Sequence, residues 1–262
     1  MIQFLRKLRQ EKISKQKFTR FFLYALGEIF LVVVGILIAV QVNNWNENRK
    51  NAIKEQTILT QLKKEYESNL AQLEEKMLMR YEIITTSHQI LEAIDHPENI
   101  DEADFFNKIG ILTLDPTFDP ITNDLMSSGN LQLIKNVTLK NKLSNWTSDV
   151  QALREMEIEW QKMTLQINFP FIVSLNIYRD VAHNQYKDKD LPIYILDRSL
   201  TEKLHIGKSK KRPDLEKVLN NPEIESIIAR AITSNYLTNL QSLALKNKIN
   251  EILTLINAEI KS

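Results

Sequence analysis

No stretch constrains this chain more than Phe21 to Val42, FFLYALGEIFLVVVGILIAVQV, where Glu28 and Gln41 are the main polar interruptions. A helix of that length, rising about 1.5 Å per residue, crosses the ~30 Å hydrocarbon core of a bilayer. A helix buried in a water-soluble domain rarely stays apolar on every face for so long. The segment therefore reads as a transmembrane helix. It is longer than the apolar run of about 7–15 residues found in cleaved leaders. Ala39-Val40-Gln41 also offers no small residue at the cleavage position. Both points favour an uncleaved signal anchor.

Charge sets the expected orientation. Arg6, Lys7, Arg9, Lys12, Lys15, Lys17 and Arg20 precede the span, with Glu11 as the one acid among them. The basic residues just after it, between positions 43 and 57, are Arg49, Lys50 and Lys54. Positively charged flanks stay inside the cell. This predicts a cytoplasmic basic tail over 1–20, a membrane helix over 21–42 and an exported domain over 43–262. Trp45 suits the outer interface, and Phe21, Phe22 and Tyr24 the inner one. The tail serves as a topology signal lying on anionic headgroups; docking of a cytoplasmic partner is its other possible use.

Glu28, Gly35 and Ala39 fall on nearly one line of a helix, because seven residues make about two turns. Gly35 and Ala39 form the small-xxx-small pattern that lets two membrane helices approach closely. An ionised carboxylate in lipid is costly, so Glu28 has three readings. It extends toward the inner headgroups and meets a Lys or Arg there, it faces a partner helix, or it relays protons.

The rest of the chain predicts an all-α domain. In 262 residues there are only 5 Gly and 7 Pro. So few chain-breakers argue for long helices. After the span, Leu59, Leu62, Tyr66, Leu70, Leu73, Met77, Tyr81 and Ile84, then Leu91 and Ile94, recur at steps averaging near 3.5, with His88 in the one gap. This predicts a helix over about 44–94, continuous with the anchor and stopped at His96-Pro97. A short helix follows in DEADFFNKIGIL, capped by Asp101 or Asp104. Two Asp-Pro steps then break the chain, and Ile121 to Ser128 reads as a short helix ended by Gly129 in the left-handed region.

Leu143, Trp146, Val150, Leu153, Trp160 and Ile167 mark a second long helix over about 137–178, kinked or ended by Pro170. Residues 183–213 read as polar and irregular, with GKSKKRP as a basic loop. A third long helix over about 222–261 carries Ile224, Ile228, Ile232, Leu240, Leu243, Ile249, Leu253, Ile256 and Ile260, with Pro222 in its first turn. Three such helices predict an elongated antiparallel bundle in which the first leads away from the membrane, the second returns and the third leads away again.

Chemistry is sparse. With 0 Cys, thiolate metal sites, disulfides and cysteine nucleophiles are excluded. His88, His96, His183 and His205 lack co-ligands at zinc spacing. No phosphate loop, dinucleotide fingerprint or serine elbow occurs, and Ser127-Ser128-Gly129 reads as a helix cap. Glu74-Glu75 and Glu155, Glu157 and Glu159 read as solvated faces. No enzyme activity and no cofactor is expected. A net charge of +1 gives no reason to expect nucleic acid. Lys208, Lys210, Lys211 and Arg212 form a loop that is either a solvated turn or a contact for an anionic partner.

The motif LYALGEIFLVVVGILIAVQVNNWNE, spanning Leu23 to Glu47, resembles the opening of the domain-of-unknown-function family numbered 6090, single-span inner-membrane proteins of Bacteroidota. Ile121 to Trp146, with its SSG and LQLI elements, resembles a second signature of that family. The resemblance implies topology and a bacterial inner membrane, not an activity.

Three functions fit these features: a membrane-anchored periplasmic helical scaffold, self-associating or joined to another inner-membrane protein; the smaller subunit of a proton-driven complex using Glu28; and a ligand-sensing helical domain with a separate output partner. For all three, alkaline phosphatase fused after residue 262 is expected to be active, and a fluorescent protein folding only in the cytosol is expected to be dark there. The reverse result would remove the exported domain.

Overall fold

A sequence this poor in helix breakers folds into long rods, and its few prolines mark where the rods end. The computed structural model describes residues 15–121, 129–186, 190–194, 197–211 and 214–261. Helix α1 covers Lys15–Asp95 and stops at His96-Pro97. Helix α2, Glu102–Ile109, opens on Asp101, whose carboxylate accepts the Asp104 N–H at 3.0 Å. Helix α3 is Val137–Met163, followed by a π-helical turn over Thr164–Asn168, α4 over Phe169–Ser174 and α5 over Tyr178–Tyr186. Strands β1 (Asp190–Tyr194) and β2 (Asp197–Lys203) pair antiparallel. The short α6, Leu215–Leu219, precedes α7, Pro222–Glu259, whose cap Asn221 accepts the Glu223 N–H at 3.0 Å.

Contacts divide the chain into two compact units, Met1–Thr57 and Ile58–Ser262, with the boundary inside α1. In the first unit the apolar stretch is wholly unburied, and it belongs to the one helix among the described residues that is long and apolar enough to cross a membrane.

In the second unit, buried positions of all three long helices follow a seven-residue repeat. On α1 they are Leu59, Leu62, Tyr66, Asn69, Leu73, Arg80, Ile83, Ser87 and Ile90. On α3 they include Leu139, Leu143, Trp146, Leu153, Glu157 and Trp160, and the rhythm continues to Thr164 in the π turn. On α7 the rhythm runs unbroken through Ile224, Ile228, Ala231, Asn235, Thr238, Ser242, Leu245, Ile249, Ile252 and Ile256. Alternating steps of three and four keep one seam facing the neighbours over many turns.

This seam differs from the one hydrophobicity alone predicts. Tyr81 is 65% exposed while Arg80 is 1% exposed. Ser87, not His88, fills the gap, and His88 lies in solvent. Leu240 and Leu243 are exposed while Thr238 and Ser242 are buried. Polar residues hold several seam positions, with Arg80 bonding Ser242 and Glu157, and Asn235, Thr238 and Ser242 bonding backbone carbonyls of their own helix, so a reading based on apolar residues slides onto the adjacent ones.

The polar positions form a layer. One apolar cluster gathers Leu59 to Leu73, Leu139 to Leu153 and Leu245 to Ile256. A second gathers Ile83, Ile90, Phe105, Phe106, Trp160, Met163 and Ile224 to Ala231. Between them along each seam lie Arg80, Glu157, Asn235, Thr238 and Ser242. The Arg80 guanidinium donates to Ser242 Oγ at 2.8 Å, to the Pro116 carbonyl at 2.7 Å, and to the Glu157 carboxylate.

Helix directions also differ from a simple alternation. Tyr66 packs on Trp146 with ring centroids 4.9 Å apart, and Arg80 pairs with Glu157, so α1 and α3 run the same way. Lys246 pairs with Glu74 at 2.7 Å and Asn136 bonds Glu259 at 2.8 Å, so α7 runs opposite to both. The return is made by the Asp-Pro segment, whose extended backbone lies along α1. Its polar groups find side chains instead of a neighbouring strand. The Leu112 carbonyl accepts from Asn168, the Leu114 carbonyl from Trp160 Nε1 and the Pro116 carbonyl from Arg80. The Phe118 N–H donates to Glu157 and the Asp119 N–H to Gln72, and Asn69 bonds both backbone groups of Ile121.

Two further expectations are revised. The rod from Val137 does not continue to Tyr178. The π turn absorbs the missing N–H of Pro170, and Asn176 at φ 61° ends the helical run. Residues 183–213 are not wholly irregular, since they hold the end of α5 and the hairpin. Pro192 lies where the hairpin register shifts, which accommodates its missing donor. The expected helix over Ile121 to Ser128 lies almost wholly outside the described residues; Gly129 does adopt the left-handed conformation, at φ 71°.

Two outcomes follow. Gly110→Ala puts a Cβ 2.9 Å from Val181 Cγ1, and is expected to cost about 1–3 kcal/mol in urea unfolding. Arg80→Met strands a buried carboxylate and is expected to cost about 3–5 kcal/mol, followed by tryptophan fluorescence. The double variant Arg80→Met/Glu157→Leu is expected to be more stable than either single one; additive losses would contradict a coupled pair.

Candidate functional site

On α1 in the first unit, Glu28, Gly35 and Ala39 line up along one exposed face. A side chain added at Gly35 would meet nothing within 4 Å, so this face is open to a second helix. Trp45 is also exposed, five turns beyond Gly27 on the same rod.

In the second unit the most unusual side chains are the buried pair that the sequence reading placed on a solvated face or left out. Arg80 and Glu157 are 1% and 3% exposed. Burial pushes the Glu157 carboxyl above its ordinary range, opposed by Arg80, the Phe118 N–H and Arg154. Burial pulls Arg80 down, opposed by Glu157 and Asp115. Burial likewise drives the Tyr66 phenol far up, with Glu65 and Asp149 adding to it. The space beside the pair, between Asp115, Thr117, Trp160 and Asn235, is too narrow to admit a water molecule. The layer is packed as part of the core. A signal for it exists in the sequence: Arg80 is seven residues after Leu73, and Glu157 stands four after Leu153 and three before Trp160.

The basic loop behaves differently. Lys208, Lys210 and Lys211 are exposed, and Arg212 lies outside the described residues. Lys208 and Lys211, but not Lys210, border a cleft of about 310 Å³ between the start of α2, α5 and the loop. The opposite wall carries Asp101 and Glu102, and Phe106 contributes apolar surface. Arg179 of α5 donates to the carbonyls of Gly207 at 3.1 Å and Ile206 at 3.2 Å, while Asp180 accepts the Ser209 N–H at 2.8 Å. Gly207 takes φ 70°, which a side chain would resist. Asn184 of α5 bonds Asn107 of α2 across the same region.

The histidines stay apart: His88, His96 and His205 are exposed and His183 is half-buried. Among the described residues, no group of three His, Cys, Asp or Glu is placed to hold a metal.

No curated protein and no solved structure matches the chain. Residues 28–148, from Glu28 in the apolar stretch of α1 through α2 into α3, match the model of a family of unknown function, DUF6090.

Proposed function

We propose that this protein is a membrane-anchored helical scaffold that associates with a second copy through its anchor and performs no catalysis of its own. In this reading the anchor crosses a bacterial inner membrane once, with its basic end in the cytoplasm and the second unit in the periplasm. The observation that carries it is the fully exposed apolar helix with Glu28, Gly35 and Ala39 on one face. A lipid-facing carboxylate is costly, and a second helix seated on the small residues offers it a partner. The second unit supports an interaction role as well. Leu78 and Tyr81 of α1, and Tyr236, Leu237, Leu240 and Leu243 of α7, are large apolar side chains left exposed beside the Asn239 to Met77 bond that joins those helices. Isolated exposed apolar residues are ordinary, but several together on adjoining faces mark association surfaces.

Glu28 also favours a second reading, in which the chain is the smaller subunit of a proton-driven complex. One set of variants separates the two. The chain has no native cysteine, so Ala39→Cys provides a single crosslinking site. Oxidation in membranes is expected to give a dimer, and Gly35→Ile is expected to reduce its yield severalfold by blocking close approach. Glu28→Gln, which keeps the shape and the hydrogen bonds, is expected to leave the dimer in place. Loss of a proton-dependent activity with the dimer intact would favour the second reading, and a chain that stays monomeric in mild detergent would remove the scaffold.

A further inference from the structure

We propose that the cleft between α2, α5 and the loop 207–211 binds a small zwitterion, an amino acid or short peptide with a free ammonium and a free carboxylate. This goes beyond the scaffold reading and does not depend on it. The cleft, about 310 Å³, is at the small end of the range of about 300–1,000 Å³ for ligand sites. Its two walls carry opposite charge: Lys208 and Lys211 face a region bordered by Asp101, Glu102 and Asp180. Part of that acidity is already engaged, since Asp101 caps α2 and Asp180 holds the Ser209 N–H. Lys208, Lys211 and Glu102 form no ion pair among the described residues.

Ligands of a single charge sign fit this arrangement poorly. A dianion would sit against the carboxylates, and a dication against the two lysines. A dipolar molecule satisfies both walls, with its carboxylate toward Lys208 and Lys211 and its ammonium toward Glu102. The backbone of the cleft is fixed before any ligand arrives. Arg179 clamps Ile206 and Gly207, Ser209 is tied to Asp180, the Lys211 N–H donates to Ser209 Oγ at 3.2 Å, and Asn184 joins α5 to α2. Only the side chains of Lys208, Lys211 and Glu102 remain to be ordered on binding, which keeps the entropic cost low. Phe106, buried at the foot of α2, offers apolar contact for the body of the ligand.

The test is titration calorimetry on the full chain in detergent, with trialanine as the probe beside its N-acetylated form, its C-terminal amide and succinate. Saturable binding of trialanine is expected. Each capped form is expected to bind about tenfold more weakly, the effect of losing one charge-assisted hydrogen bond. The variant Lys208→Ala/Lys211→Ala is expected to abolish the distinction between trialanine and its amide. Glu102→Gln is expected to abolish that between trialanine and its acetylated form, and Lys210→Ala to change neither. Absence of saturable binding at millimolar trialanine, equal binding of free and capped peptides, or tighter binding of succinate would each overturn the proposal. Unchanged tryptophan fluorescence in the variants establishes that they fold.

Discussion

The second unit depends on one buried ion pair and what it is bonded to. Arg80 and Glu157 face each other from two parallel helices at the level where α7 places Asn235, Thr238 and Ser242. Isolated, either charge would be expensive to bury; together, with Ser242, the Pro116 carbonyl and the Phe118 N–H as further partners, the desolvation is partly offset. The arrangement works in only one register. A slip of one heptad along any of the three helices would place the guanidinium among leucines and leave the carboxylate without a partner. Polar residues inside helical seams are the best attested means of specifying register and partner, and here they are set between two apolar cores that by themselves discriminate poorly between alignments.

The same layer solves a second problem. The return segment leaves a 3-10 turn over Gly110–Thr113 at Leu114 and runs to Ile121 with no neighbouring strand among the described residues, and buried backbone groups without partners cost stability. Side chains of α1 and of α3 with its π turn fill that role, and Arg80 and Glu157 belong to both arrangements. Asn69 takes both backbone groups of Ile121, as a strand neighbour would. Removing the ion pair would therefore disturb the helix register and loosen the segment that lets α1 and α3 run in the same direction.

Much of the fold was legible in the residues. The long apolar helix, the stop at Pro97, the cap at Asp101, the start at Pro222 and the left-handed Gly129 follow from local physics, in which local residue preferences decide. The candidate sites were legible unevenly. Glu28 stands out because it interrupts an apolar run, and Gly35 and Ala39 because of their small-xxx-small spacing. The lysines of the basic loop stand out by composition, but their carboxylate neighbours come from α2 and α5, distant in sequence. Arg80 and Glu157 were hidden because charge normally signals solvent, and only a partner from another helix reverses that meaning.

The sequence by itself determined that this chain carries one membrane-length helix and that the remainder is largely helical, because apolar length and the scarcity of glycine and proline act along the chain without reference to distant residues. Tertiary structure decided which face of each helix is buried, which helices run together and which charges meet. Those outcomes rest on pairings such as Arg80 with Glu157 and Asn69 with Ile121, whose energies exist only once residues 50 or more positions apart are brought into contact.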